Sequence, residues 1–189
     1  RHAAEVLVFT KNTRLNMDSG TLDNIKSFTD DAIYEELQYM ANTIPSSWEF
    51  VEYKFLVNDV TRAYTHQAVR TRPCSFAQQT MRVLDVEGWR YESGPTIQQS
   101  DYRQAIYDNA MYTIDAAYRA LIDDGAKVED ARGVLPTNIH TNIVIKFDLR
   151  TLTDTMRKRA SLRTQDEYRA VLKGMKEAVI AVHPWASLF

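Results

Sequence analysis

Two segments of this 189-residue sequence concentrate the side chains that could do chemistry. Residues 60–84 hold four arginines and no acidic residue, and residues 149–163 hold five basic residues against the single acid Asp154. All but one of these basic residues are arginines, whose planar guanidinium matches a phosphate or a carboxylate with two parallel hydrogen bonds. The pattern predicts a site for a compact anionic ligand. The alternative is that these arginines lie on solvated helix faces and pair with acidic residues elsewhere.

The rest of the sequence is acidic. The formal net charge is −2, so removing the eight net positive charges of the two segments leaves −10. A chain with this balance repels a polyanion at long range, and we expect no nucleic-acid partner. The six glycines lie too far apart to form a GxGxxG turn or a phosphate-binding loop, so any nucleotide must be held by side chains.

Composition places the chain among ordinary soluble globular domains, with 44% apolar and 25% charged residues, and we expect one domain over residues 1–189. No apolar run approaches the roughly 18 residues of a membrane-spanning helix, and residues 1–10 lack the apolar stretch of a signal peptide. We therefore expect a cytoplasmic protein with no membrane contact. The lone Cys74 excludes an internal disulfide and, with four scattered histidines, a Cys/His zinc cluster.

Hydrophobic periodicity predicts the elements that must position the arginines. The first part of the chain should contain a strand at 5–10, a weakly structured connection at 11–27, a helix at 30–42 and a strand at 51–57. Asp59 is expected to cap a helix that runs to about Thr71 and ends before Pro73.

A long helix is predicted from about Ser100 to Gly125, with apolar residues at helical spacing from Ile106 to Leu121. The other expected elements are extended or irregular chain at 75–86, a loop at 87–99, a helical turn at 128–131, a strand at 138–148, a helix at 151–158 and a last helix ending at Pro184. A capping box of Thr164 and Glu167 should open that last helix. Together these elements predict an α+β domain whose mixed or antiparallel sheet is flanked by helices.

The segment 70–82 resembles the signature of the flavin-dependent thymidylate synthases, which reads RHR, two residues, Ser, four residues, Ser, one residue, Arg. The residues that fall in register are Arg70, Arg72, Ser75 and Arg82. Thr71 stands in place of the His, and Thr80 in place of the second Ser. Between them, Gln78 stands where the family usually has Glu, and Met81 follows where it often has a small residue.

The resemblance continues along most of the chain. Residues 46–50 look like the SPFEH stretch of that family without its final His, and residues 130–136 look like its AR-x-VLP segment. Arg150 and Arg159 fall where the family has an arginine after its second strand and another in the following helix. Pro184-Trp185 matches the proline-aromatic end.

The resemblance implies a function and a set of site residues. It implies a uridylate monophosphate site lined by Gln67, Gln78, Thr80, Arg82, Arg132 and Arg159. It implies a flavin site formed by Arg70, Arg72, Asp148, Arg150 and Asp154. We expect Arg70, Arg72 and Arg150 to have no other anion to bind. Arg159 would be catalytic, because a guanidinium can stabilise charge that develops on the pyrimidine carbonyls.

The implied reaction is reductive methylation at C5 of dUMP or UMP, with FAD as cofactor and with methylenetetrahydrofolate and NADPH as co-substrates, in a homotetramer. The departures at Thr71, Gln78, Thr80 and Met81 resemble an offshoot such as the UMP C5-methylase of polyoxin-type nucleoside antibiotic biosynthesis. The alternative is a flavin- or nucleotide-binding homologue that has lost catalytic turnover, which Thr71 and Gln78 keep open.

Two residues have a chemical and a structural interpretation. Cys74, close to Arg70 and Arg72, could be a thiolate nucleophile, but its neighbours favour a packing or bystander role. His66, one helical turn before Arg70, could be a general base, but a helix histidine satisfied by its neighbours is more common.

Overall fold

The computed structural model describes residues 1–14, 16–82 and 89–189. It belongs to the α+β class, as expected, with helices and a three-stranded antiparallel sheet. The strands are β1 (Glu52–Thr61), β2 (Ser75–Gln78) and β3 (His140–Asp148), and β3 is the central one. The α-helices are α1 (His2–Thr10), α2 (Ser19–Lys26), α3 (Asp30–Thr43), α4 (Arg62–Ala68), α5 (Pro95–Gln98), α6 (Asp101–Asp123), α7 (Val128–Ala131), α8 (Leu149–Arg159) and α9 (Asp166–Val182).

The chain contacts divide the described residues into two compact units. Unit 1 consists of residues 1–55, 71–76 and 145–189, and unit 2 consists of residues 56–70 and 77–144. Short 3₁₀ helices at Lys11–Arg14, Pro45–Phe50 and Pro184–Leu188 belong to unit 1, and one at Arg132–Val134 belongs to unit 2.

The core of unit 1 is built on α1 and α3. Leu7 of α1 and Leu37 and Met40 of α3 are completely buried, and Trp48 and Leu149 join the same apolar cluster. The prediction of α3 is confirmed, and Thr29 caps it by accepting a hydrogen bond from the backbone N–H of Ala32.

Two expectations for the first 27 residues are wrong. The segment 5–10 is the end of α1 rather than a strand, because its continuous apolar run also suits a helix buried on several sides. The supposed weakly structured connection contains α2, whose N-terminus is fixed by the Asp18 carboxylate accepting from Thr21 N–H.

In unit 2, α4 starts later than expected. Asp59 does not cap it, since Asp59 still lies in β1 with a positive φ of 55°, and Thr61 caps the helix by accepting from Tyr64 N–H. The long helix is confirmed: Ser100 caps α6, and Gly125 follows it with φ of 87°, a conformation that glycine adopts without strain.

The buried face of α6 differs from the expected one. Met111 and Tyr118, two turns apart, are buried, whereas Ile106 is 54% exposed. The apolar residues that recur at helical spacing from Ile106 to Leu121 therefore do not mark the buried face of this helix.

The helices after β3 are confirmed, but not the last cap. Asp148 caps α8, and α9 begins at Asp166 after Gln165 without a side-chain cap hydrogen bond, so the predicted capping box of Thr164 and Glu167 is absent. The predictions for 75–86 and 87–99 fall partly on residues 83–88, which lie outside the described residues. Within the described ranges, no helix is long and apolar enough to cross a membrane.

Candidate functional site

A cleft of about 310 Å³ in unit 2 gathers side chains that can bind an anion. Its polar and charged side chains come from α4 and α7 and from the turns beside them. The lining residues are Arg62, His66, Met81, Glu129, Arg132, Gly133, Leu135, Pro136 and Thr137. The predicted substrate residue Arg132 is among them.

The backbone around α4 fixes one wall of the cleft. The N–H groups of Arg62 and Ala63 donate to the carbonyl oxygens of Ile139 and Thr137 at 3.0 and 2.7 Å, which attach the start of α4 to the chain entering β3. Arg62 and His66 are four residues apart and therefore share one helix face. That face lines the cleft.

Arg62 and Arg132 are close enough to affect each other electrostatically. Burial lowers the pKa of the Arg62 guanidinium, and the positive charge of Arg132 lowers it further. No carboxylate within the described ranges forms an ion pair with either arginine. A bound anion would oppose both effects on the Arg62 pKa, because its negative charge stabilises the protonated guanidinium.

Glu129 is the carboxylate of the cleft. Its Oε2 pairs with Nε of Arg82 at 2.8 Å, and its backbone oxygen accepts from Nε of Arg132 at 3.1 Å. Arg82, which the sequence also predicts, therefore contacts the same residue as Arg132. Three guanidinium groups against one carboxylate leave two net positive charges, the charge of a phosphate monoester with opposite sign.

The other predicted nucleotide residues of unit 2 lie in α4, at the end of β2 and in the segment that follows β2. Gln78 Nε2 donates to Thr65 Oγ1 at 3.1 Å, and Thr65 is a buried residue of α4. Thr80 Oγ1 accepts from Arg82 N–H at 3.0 Å, which shapes the backbone in front of that arginine. Gln67 lies half-buried on α4 but does not line the cleft.

The predicted flavin residues after β3 have partners within unit 1. Arg150 Nη1 pairs with Glu49 Oε1 at 2.6 Å, so the expectation that Arg150 has no other anion to bind is wrong. Both carboxylate oxygens of Asp148 accept from Thr151, one from its N–H at 2.7 Å and one from its hydroxyl at 2.8 Å. Asp148 therefore has a helix-capping role, and its flavin contact stays a prediction.

Arg70 and Arg72 differ from Arg150. Both side chains are exposed, and in the described part of the chain neither forms an ion pair. Asp154, the remaining predicted flavin residue, is half-buried on α8. Arg70 belongs to unit 2, whereas Arg72 and Asp154 belong to unit 1.

Arg159, the predicted catalytic residue, lies at the end of α8 in unit 1. It is half-buried, and its guanidinium carbon is 5.2 Å from the ring centroid of Tyr168. The Tyr168 hydroxyl oxygen is in turn 3.3 Å from Oγ1 of Thr71, the residue that replaces the motif histidine.

The environment of Cys74 argues against a thiolate nucleophile. Burial, with the charge of Asp148 as a further cause, raises the pKa of this thiol to about 11, although Arg72 and Lys146 act in the opposite direction. At neutral pH the group is therefore a protonated thiol, which is a poor nucleophile.

Sequence reasoning missed Arg62 and Tyr168 as site residues. Arg62 was part of the basic segment, and its spacing of four from His66 placed both on one face, but nothing in the sequence showed that this face meets Arg132. Tyr168 carries no sequence signal for its contact with Arg159.

Comparison with known proteins gives a consistent result. The family model described as thymidylate synthase complementing protein matches residues 5–185. A flavin-dependent thymidylate synthase of Geobacter sulfurreducens is 33% identical over 138 residues, covering 72% of this chain and 60% of that protein. One of Sulfurisphaera tokodaii is 32% identical over 164 residues, covering 84% and 62% respectively. The chain thus spans about three fifths of the length of these relatives.

Proposed function

The chain belongs to the thymidylate synthase complementing protein family, and from that premise we propose that it takes part in flavin-dependent C5-methylation of a uridine monophosphate. The observation that carries the proposal is the arginine-lined cleft of unit 2, which holds Arg132 and, through Glu129, Arg82. The family resemblance implies both arginines at the nucleotide site.

The cleft would bind the phosphate of the nucleotide. The partly buried guanidinium of Arg62 and the exposed one of Arg132 can each donate to phosphate oxygens, and charge-assisted bonds of this kind are the strong ones. A nucleotide phosphate would also compete with Glu129 for Arg82. The proposed role of Arg62 adds one residue to those that the motif indicates.

Binding of dUMP tests this assignment. Arg62→Gln and Arg132→Gln should each weaken dUMP binding about tenfold or more in isothermal titration, since a hydrogen bond to a charged group contributes about 1.5–3 kcal/mol. Arg103→Gln is the matched control, because Arg103 lies in the same unit on α6 and donates to Thr96 O instead of lining the cleft. Equal affinities for the three variants and the parent protein would refute the phosphate site.

The donor set also fits a flavin dinucleotide. FAD carries a diphosphate, and in unit 1 Arg72 presents an exposed guanidinium group without an ion pair among the described residues. Arg150 of the same unit would join it by exchanging Glu49 for the cofactor, while Asp148 and Asp154 would contribute acceptors. The family resemblance implies a flavin contact for Arg70 as well. The cofactor would supply the redox and one-carbon transfer chemistry, with methylenetetrahydrofolate as carbon donor and NADPH as reductant.

Arg159 would act on the nucleotide rather than on the cofactor. Negative charge on the pyrimidine carbonyl oxygens makes C5 electron-rich enough to attack the one-carbon unit, and a positioned guanidinium stabilises that charge. Cys74 takes no part, because its thiol is protonated at neutral pH.

The sugar preference follows from Gln78. Its Nε2 donates to Thr65, and among the described residues the second N–H and the carbonyl oxygen of the amide have no hydrogen-bond partner, so both can meet a ligand. A carboxylate at this position could only accept, whereas the amide can also donate to a 2′-hydroxyl. We therefore propose that UMP is used alongside dUMP, as in the UMP C5-methylases of polyoxin-type antibiotic biosynthesis.

Comparison of kcat/KM for UMP and dUMP, at identical FAD, NADPH and methylenetetrahydrofolate concentrations, tests this preference. Values within about tenfold of each other are expected. A preference for dUMP above about a thousandfold, or roughly 4 kcal/mol, would assign the protein to ordinary thymidylate synthesis.

The second candidate function is flavin or nucleotide binding without turnover. Thr71 and Gln78, which replace residues usual in the family, both contact other side chains of the protein, Tyr168 and Thr65 respectively. An FAD titration followed by a methylation assay separates the two functions. Bound flavin with methylated product supports the enzyme, and bound flavin without product supports the second candidate. Absence of flavin binding at any protein concentration rejects the enzyme, and absence of dUMP binding as well rejects the second candidate.

We extend the proposal to a homotetramer with sites shared between subunits, as the family resemblance implies. Helix α6 presents large apolar side chains to solvent, Tyr102 and Tyr112 at 76% exposure and Ile106 at 54%, and subunit interfaces bury side chains of this type. Light scattering after size-exclusion chromatography gives the mass directly, with four times 21.8 kDa expected.

A further inference from the structure

Arg159 needs a fixed orientation to stabilise charge, and its contact with Tyr168 can provide one. An arginine side chain has four rotatable bonds and loses them only where a neighbour holds it. The ring of Tyr168 lies 5.2 Å from the Arg159 guanidinium carbon, within the range of a cation–π interaction. Arg159 is half-buried, so less water competes for its charge than at a fully exposed site.

Tyr168 is itself immobilised. The residue is 1% exposed in the first turn of α9, where packing fixes its two side-chain torsions. Its hydroxyl oxygen lies 3.3 Å from Oγ1 of Thr71, on the opposite end of the side chain from the backbone. Tyr168 therefore connects Thr71, which occupies the position of the motif histidine, to the guanidinium of Arg159.

We infer that Tyr168 is a positioning residue for Arg159, with Thr71 fixing the plane of its ring. The inference goes beyond the proposed function and rests on it only for the kinetic consequence. Threonine in place of the motif histidine then suits a tyrosine at position 168, because its short hydroxyl side chain can meet the phenol hydroxyl there. The ring face supplies the main contact, and the hydroxyl pair refines its orientation.

Three variants separate these contributions. Tyr168→Phe keeps the ring and removes the hydroxyl, Thr71→Val removes the other half of the hydroxyl pair, and Tyr168→Leu removes the ring. Met175→Ala is the matched control for loss of buried side-chain volume, because Met175 is buried on α9 seven residues further on, about 10 Å along the helix axis.

Kinetics and NMR provide independent measurements. We expect kcat to fall about tenfold in Tyr168→Leu with KM for dUMP within about twofold, and to fall less than about threefold in Tyr168→Phe and Thr71→Val. In NMR spectra, the side-chain protons of Arg159 should show an upfield ring-current shift that persists in Tyr168→Phe and disappears in Tyr168→Leu. Met175→Ala should lower the melting temperature without changing the shift or kcat.

Two results would overturn the inference. One is an Arg159 ring-current shift absent from the parent protein or unchanged in Tyr168→Leu. The other is a kcat for Tyr168→Leu no lower than that of Met175→Ala. A parent protein that shows the shift but no turnover with any uridine nucleotide would refute the proposed function and still support the positioning role of Tyr168.

Discussion

At the scale of single residues, the cleft of unit 2 is defined by a competition for Arg82. Glu129 neutralises this arginine through an ion pair of 2.8 Å, and it lines the same cleft as Arg62 and Arg132. An incoming phosphate must displace or share this carboxylate. Glu129 therefore lowers the affinity of the cleft for any anion.

Replacing Glu129 by Gln should strengthen nucleotide binding. The variant frees Arg82 and removes a negative charge that repels the phosphate, and an exposed ion pair is worth up to about 1 kcal/mol, so dUMP affinity should rise by up to about fivefold. Isothermal titration measures this change. Glu92→Gln removes a carboxylate of the same unit that does not line the cleft, and an equal gain there would attribute the effect to net charge alone.

Replacing Arg159 by Lys should cost more than the retained charge suggests. Lysine offers a single ammonium in place of a planar fork and cannot lie flat on the Tyr168 ring. We expect a loss of about 2 kcal/mol or more in transition-state stabilisation, the scale for one preorganised donor, seen as a fall in kcat/KM of about thirtyfold or more. Turnover close to that of the parent protein would remove Arg159 from the chemistry.

At the scale of elements, the start of α8 combines two assignments on one residue. Asp148 caps the helix through Thr151 and is also a predicted flavin residue. Serine is as good an N-cap as aspartate but carries no charge. The two roles can therefore be separated by substitution.

The variants Asp148→Ala and Asp148→Ser make that separation. Asp148→Ala should lower the free energy of unfolding by about 1 kcal/mol through loss of the cap, and Asp148→Ser should restore most of it. Chemical denaturation measures both values. FAD affinity that falls equally in the two variants would assign the carboxylate to the flavin, whereas affinity that follows stability would assign it to the helix alone.

The elements that the sequence predicts well have a clear period and a clear end. Helix α3 buries every third or fourth residue, and the alternation of Ile143, Ile145 and Phe147 in β3 leaves no other interpretation. The prediction of a strand at residues 5–10 failed because a short apolar run does not distinguish a strand from a buried helix. The prediction that Asp59 caps α4 failed because Asp59 and Thr61 are both good N-cap residues. Which of them caps the helix depends on how far β1 continues.

The candidate site was predictable only in part for a related reason. Motif spacing indicates Arg82 and Arg132, but the partners Glu129 and Arg62 follow from tertiary structure. Similarly, Glu49 lies far from Arg150 along the chain, so no local pattern could have shown that they pair.

At the scale of the whole molecule, two titratable groups of unit 1 link its stability to pH. Tyr53 Oη and His183 Nδ1 are 3.0 Å apart. Burial lowers the pKa of His183 from its ordinary 6.5, and burial raises the pKa of Tyr53 from 10 to about 12. The folded state therefore favours the neutral form of both groups.

Stability should consequently fall on both sides of a plateau. Unfolded His183 takes up a proton near pH 6.5 and the folded residue only at lower pH, so its contribution is complete above 6.5 and is lost as the pH falls below it. Unfolded Tyr53 ionises near pH 10, so its contribution is lost between about 10 and 12. Melting temperatures measured from pH 5 to 12 give the profile. His183→Asn should flatten its acid side and Tyr53→Phe its alkaline side; unchanged slopes would exclude these groups.

The burial of Trp48 has a spectroscopic consequence. Its indole is held edge-on against Phe189, with ring centroids 4.6 Å apart, and the adjacent residue Glu49 pairs with Arg150. An isoalloxazine bound near Arg150 would absorb in the range where a buried indole emits, so excitation energy would pass from Trp48 to the cofactor. Quenching of tryptophan fluorescence on addition of FAD, diminished in Trp48→Phe, would then report occupancy of the site without any label.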